Sequence, residues 1–191
     1  MKKQLSILAL GIAITAPFSA FAEGAYVGVN AGRAHHKVNY ADGESAKDNR
    51  TGYKLYAGYN FNPNFGLEGG YTQLGKLTDS WVDGTDSGTN TFKARAIYAA
   101  ATATLPLNEQ FALFAKLGVT QTRVKGSFEE NGVLGSTLSK SKTNALFGIG
   151  ASFNITKELA VVAEYENYGK VTAEDVKLKT NLLSVGLRYA F

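Results

Sequence analysis

Four charged residues stand where an otherwise apolar and glycine-rich pattern would not place them: Lys54, Glu68, Lys116 and Glu164. Two cations and two anions at matching heights could pair with one another, as isolated charges taken out of water are costly. Such a layer could fix register and fill a space, or gate ions or protons. A second set is Arg33, Lys93, Arg95, Arg123 and Lys125, on the opposite parity and near the ends of their segments, with Lys177 and Lys179 as further members. Arg grips phosphate bidentately, so this set is a candidate contact for anionic lipid headgroups. His35 and His36 are the only histidines. Adjacent strand residues point to opposite faces, so they are poorly placed to share a metal, and no metal site is expected. Ser127, Ser136 and Ser139 could in principle meet a histidine, but no spacing supports a catalytic set, and no catalytic residue is assigned. Gly28, Gly32, Gly148 and Gly150 lack the strand-to-helix context of phosphate loops, and no cofactor is expected.

The elements that position these residues follow from period-two alternation. Leu183, Val185, Leu187, Tyr189 and Phe191 alternate with Leu182, Ser184, Gly186, Arg188 and Ala190. Residues 53–61, 65–71, 97–105, 111–121 and 145–153 behave in the same way. The pattern predicts eight strands at 25–36, 50–61, 65–76, 91–105, 110–125, 137–153, 158–170 and 179–191. Three connections are tight, at Asn62-Pro63-Asn64, at Pro106 to Glu109 and at Asn154 to Lys157. Four are long and polar, over 37–49, 77–90, 126–136 and 171–178. Short turns alternate with long loops, as in an all-β, eight-stranded antiparallel up-and-down transmembrane β-barrel. The expected placement is the cell outer membrane, with four extracellular loops and both termini periplasmic.

On each strand one face is apolar and the other carries Lys, Glu, Gly and Thr. A soluble sandwich or lipocalin-like barrel would bury the apolar face, whereas a membrane barrel turns it to lipid. Phe61, Phe65, Phe111, Phe153, Tyr189 and Phe191 share the apolar face near the short turns or the C-terminus, which favours lipid and an aromatic girdle. Tyr53, Tyr71 and Tyr165 would belong to the opposite girdle. Lys54, Glu68, Lys116 and Glu164 then point inward, beside Tyr56, Tyr98 and Phe114. A lumen of eight strands is just wide enough to be filled by side chains, so a plugged interior is expected rather than an open pore.

Residues 1–22 read as a cleaved signal peptide: Lys2 and Lys3, an apolar run from Leu5 to Ala16, and Ala20-Phe21-Ala22 before Glu23. The barrel domain is then 23–191. Loss of the two lysines takes the net charge from +4 to +2, which gives no case for nucleic acid. The chain has no cysteine, hence no disulfide framework, thiolate metal site or thiol nucleophile.

The stretch 52–76, GYKLYAGYNFNPNFGLEGGYTQLGK, resembles the membrane-embedded domain of the outer membrane protein A family. LPLNEQFALFAKLG at 105–118, ITKELAVVAEYENY at 155–168 and LLSVGLRYAF at 182–191 follow in that family's order. The resemblance implies an interior acidic and basic network that blocks the lumen, with Glu68, Lys116 and Glu164 at matching positions. Asn30, Thr102, Ser152 and Val162 are uncharged where the family carries charges. The chain ends at Phe191, so the second, peptidoglycan-binding domain of many members is expected to be absent, as in single-barrel relatives such as outer membrane protein X.

The expected function is non-enzymatic: support of outer-membrane integrity and surface adhesion. Expected partners are outer-membrane lipids and lipopolysaccharide, the barrel-assembly machinery through the C-terminal strand, and host or phage surface ligands through the loops. A narrow porin gated by the interior charges is the alternative, and a lipid-modifying enzyme a weaker one.

Overall fold

The computed structural model describes residues 24–39, 45–83, 86–130, 133–173 and 176–191. The expected signal peptide and its cleavage position lie outside the described residues. Eight strands follow one another in the chain: β1 Ala25–Asn39, β2 Ser45–Asn60, β3 Phe65–Asp83, β4 Asp86–Pro106, β5 Phe111–Glu130, β6 Val133–Asn154, β7 Leu159–Ala173 and β8 Val176–Ala190. Each pairs antiparallel with its sequence neighbours, and β1 closes on β8 from Tyr26↔Ala190 to Asn39↔Lys177. Closure pairs every strand on both sides near the short turns, whereas β2 pairs with β3 only from Tyr53↔Gln73 to Asn60↔Gly66 and β6 with β7 only from Phe147↔Asn167 to Asn154↔Ala160.

The three short turns share one device. Asn62 Oδ1 accepts the backbone N–H groups of Asn64 and Phe65 at 2.9 and 2.8 Å. Asn108 Oδ1 does the same for Gln110 and Phe111, also at 2.9 and 2.8 Å. Thr156 Oγ1 takes this place for Glu158 and Leu159, at 3.2 and 3.0 Å. A side-chain oxygen thus satisfies the donors that the turn frees, which is why Asn and Thr stand two and three residues before the donors they cap.

At the other end the strands run further than the hydropathy pattern predicts. The four stretches read as loops, 37–49, 77–90, 126–136 and 171–178, are largely paired strand: the ladder continues to Asn39↔Ser45, Asp83↔Asp86, Glu130↔Val133 and Ala173↔Val176. Two of these extensions begin at an irregularity containing a left-handed glycine. The register of β3 on β4 shifts between Gln73 and Lys76, where Gly75 has φ +106°. That of β7 on β8 shifts between Asn167 and Lys170, where Gly169 has φ +79°. Only glycine takes such a backbone at no steric cost, and the extra residue resets which side chains face outward.

Outward positions form an apolar band. Val29, Leu55, Ile97, Leu117, Ile149, Leu183 and Val185 are all exposed. At its lower border Tyr59 packs against Phe61, Phe111 against Phe153 and Tyr189 against Phe191, with ring centroids 5.6, 4.8 and 5.2 Å apart. Tyr53, Tyr71 and Tyr165 are exposed toward the opposite border. The buried residues line the inside, where Tyr26, Tyr56, Tyr98 and Tyr168 pack with Ala34, Leu74, Ala96, Leu146 and Leu182.

Candidate functional site

Alternation along β2, β3, β5 and β7 directs Lys54, Glu68, Lys116 and Glu164 into the lumen, where they meet. Lys116 Nζ donates to Glu68 Oε1 at 2.6 Å and to Glu164 Oε2 at 2.5 Å. Lys54 Nζ donates to Glu164 Oε1 and lies 3.5 Å from Glu68 Oε1. All four side chains are shielded from solvent.

The composition of this layer differs from the two-plus-two reading of the sequence. Glu166, two residues after Glu164 and so on the same face, is also buried and accepts from Lys54 Nζ at 2.7 Å. Arg188 points inward from β8 and brings its Nη2 within 4.0 Å of Glu68 Oε2. Three carboxylates thus face three cations. Inward parity, extended to every position of β7 and β8, would have found both. The uncharged Asn30 participates as well, its Nδ2 donating to Glu164 Oε1 at 2.9 Å.

Aromatic side chains complete the layer. Tyr98 donates to Glu68 Oε1 at 2.5 Å and Tyr26 to Glu68 Oε2 at 3.1 Å. Lys54 lies 4.7 and 5.0 Å from the ring centroids of Tyr56 and Tyr98, within cation–π range. The Tyr98 ring lies directly over Gly70, where an added Cβ would come within 2.6 Å of it, so glycine there makes room for the ring. Above Glu166 the Tyr168 hydroxyl donates to Oε2 at 2.9 Å. Its single hydrogen is used there, so the 2.8 Å contact with Thr72 has Thr72 as donor.

Further from the short turns, Ala34, Leu74, Ala96, Leu146 and Leu182 are buried inward positions of β1, β3, β4, β6 and β8. Below it the lumen opens toward the short turns as a cavity of about 290 Å³ with Arg188 at its inner end.

The outward cations form separate groups. Lys93↔Lys125 and Arg95↔Arg123 are direct register partners across β4 and β5, and Lys76 of β3 stands opposite Lys93. All five are exposed. Between Arg95 and Arg123 lies a second cleft of about 290 Å³, bordered by Tyr71, Gln121 and Ile97. Arg123 Nε donates to Ser141 Oγ at 3.1 Å. Arg33 is not part of this ladder: it lies on β1, opposite Thr51 and Leu183. Lys179 faces Lys170 and Lys37 on the β7–β8–β1 side, and the side chain of Lys177 lies outside the described residues.

His35 Nδ1 contacts Asn49 Oδ1 at 2.5 Å on the outer surface of β1. Ser127 and Ser139 lie on β5 and β6, across the barrel from it. The side chains of His36 and Ser136 lie outside the described residues. Among the described residues no cluster of three histidine or acidic side chains is placed to hold a metal ion.

The family model of the OmpA-like transmembrane domain matches residues 20–191. The attachment invasion locus protein of Yersinia pseudotuberculosis is 30% identical over 190 residues, covering 99% of this chain and 98% of that protein. Outer membrane protein A of the same organism is 30% identical over 155 residues, covering 78% of this chain and 42% of that protein. Among solved structures, Ail of Yersinia pestis in complex with the heparin analogue sucrose octasulfate matches with a TM-score of 0.55 and 26% identity, covering 87% of this chain and 99% of that one. Neisserial surface protein A has the same fold, with a TM-score of 0.62 at 23% identity over 88% of this chain and 98% of that one.

Proposed function

Since this chain belongs to the family of OmpA-like transmembrane domains and is an outer-membrane β-barrel, with its short turns periplasmic and its long hairpins outside, we propose that it acts without catalysis, through its outer wall. In this reading the lumen is plugged, the hairpins present an adhesive surface, and the cationic ladder binds clustered oxyanions. The protein is exported by the signal peptide of residues 1–22 and contributes to outer-membrane integrity by holding lipopolysaccharide. The observation that carries the proposal is the ladder of Lys93, Arg95, Arg123 and Lys125 above the apolar band.

The chemistry of that ladder is specific. Like charges directly opposite one another on a sheet are unfavourable unless an anion lies between them. Among the described residues no carboxylate forms an ion pair with these four, whereas every lysine of the lumen layer has one. The cleft between Arg95 and Arg123 is polar at the two guanidinium groups and Gln121 and apolar at Ile97, which suits a phosphorylated headgroup whose acyl chains continue down the band. Sulfate shares the geometry of phosphate. The heparin analogue bound by Ail therefore supports a sulfated host polysaccharide as a ligand of the outer surface here.

The test is the Arg95→Gln/Arg123→Gln double variant. Lipopolysaccharide that copurifies with the barrel falls, and retention on a sulfated-glycan matrix weakens and becomes less sensitive to salt. Unchanged lipid content and retention would reject the proposal. Mass spectrometry of lipid A should show no modification that depends on the protein.

A further inference from the structure

We infer that the periplasmic vestibule is a binding site for a small soluble oxyanion of the phosphate or sulfate class, held by Arg188. This rests on the lumen alone and is independent of the outer ladder. The vestibule is the cavity of about 290 Å³ between the short turns, large enough for a hydrated tetrahedral anion. Its floor is the guanidinium of Arg188, which packs against the rings of Tyr26, Phe114 and Tyr56 at 4.6, 5.2 and 5.8 Å. Those rings fix the group and exclude water from its faces.

Arg188 differs from the other two interior cations. Lys54 and Lys116 each donate to two carboxylates. Arg188 comes no closer than 4.0 Å to Glu68, whose oxygens are already taken by Tyr26, Tyr98 and Lys116. Its Nε is buried and has no hydrogen-bond partner among the described residues. A planar guanidinium that makes no close ion pair and stays partly accessible at the end of a polar cavity is the geometry that binds tetrahedral oxyanions. Ser152, a buried hydroxyl, and Lys157, on the turn, line the same cavity and supply further donors.

Glu109 and Glu158 stand at the rim of the cavity, Glu158 accepting the Thr156 hydroxyl at 2.9 Å. Two glutamates against Lys157 leave the rim net acidic, so the potential changes sign toward the cationic floor. An anion small enough to pass the rim gains at the floor, where low-dielectric walls focus the field, while larger polyanions are turned away.

The experiment follows backbone amide shifts of Ser152 and Ala190 by NMR, in the folded barrel in an uncharged maltoside detergent, during titration with inorganic phosphate and then sulfate. Saturable shifts are expected. Arg188→Gln weakens binding roughly tenfold, as loss of a charge-assisted pair should. Glu158→Gln, on an exposed turn where folding is not at stake, tightens binding. Arg95→Gln/Arg123→Gln leaves these shifts unchanged. Shifts that grow without saturating, an unchanged affinity in Glu158→Gln, or loss of the response in the outer double variant would overturn the proposal. Phosphatidylglycerol added to the micelles should not compete, since the vestibule opens between the turns and not into the acyl region. Displacement of phosphate by that lipid would show a headgroup site and overturn the proposal as well.

Discussion

The two halves of the lumen are lined by different chemistry. In the periplasmic half, three glutamates and three cations interlock, and the cavity below them is lined by polar side chains such as Ser152, Asn154 and Lys157. In the extracellular half the buried apolar residues are Ala34, Leu74, Ala96, Leu146 and Leu182, with Tyr168, and the buried threonines Thr72, Thr122 and Thr180 stand among them. A charge layer holds its geometry because each lost partner leaves an unpaired charge. An apolar layer holds because any gap forfeits burial and dispersion contacts. On the proposal that the lumen is plugged, the two layers act in series and leave the interior open to the periplasm alone.

The charge layer should be the more sensitive half. Lys116→Met removes the group that joins Glu68 to Glu164 and leaves both carboxylates short of a cation, an expected loss of about 3–5 kcal/mol. Urea unfolding of the refolded barrel, read by heat-modifiable gel migration, measures it. Adding Glu68→Gln to Lys116→Met should recover part of the loss; strict additivity of the two changes would show that the pair is not coupled. Leu146→Ala in the upper layer should cost less, about 2–3 kcal/mol, through the cavity it leaves.

Conductance in planar bilayers separates the halves without reference to stability. Lys116→Ala alone, or Leu146→Ala with Leu182→Ala alone, should leave the barrel closed, and the three together should open it. Steady current from Lys116→Ala by itself would mean that charge alone gates the lumen and that the apolar layer does not seal.

Much of this was legible in the sequence, and the failures have physical causes. Leu183, Val185 and Leu187 against Ser184 and Gly186 reveal a strand because bilayer and lumen impose opposite demands on alternate residues. Residues 77–83 and 86–90 carry no hydropathy alternation although they pair in register. Gly75 and Gly169 add a second obstacle, as the bulges reset parity where the pattern fades. Asn62, Asn108 and Thr156 were readable as turn residues because their role is local. Glu166 and Arg188 were missed although they obey the same parity as Glu164 and Ser184. Glu166 lies one inward step beyond the height at which the four charges match, and Arg188 stands within the alternation of the last strand. Which cation meets which glutamate depends on barrel curvature across non-adjacent strands, such as β2 and β7, and no sequence spacing encodes that.

The smallest expected effect contrasts a lumen cation with one on the outer wall. Arg95 faces Arg123 across the sheet with no acidic partner among the described residues. In detergent free of lipopolysaccharide, Arg95→Gln should therefore leave stability within about 0.5 kcal/mol and tip it slightly upward, because a like-charge pair is relieved. With lipopolysaccharide present the sign should reverse, since the wild-type barrel then gains binding free energy that the variant lacks. Arg95 is the better choice than Arg123, whose Nε is also bonded to Ser141. Lys116→Met should show no such reversal, because its partners are carried by the fold itself. If Arg95→Gln responds identically with and without lipopolysaccharide, the ladder is solvated charge and the outer wall holds no anion.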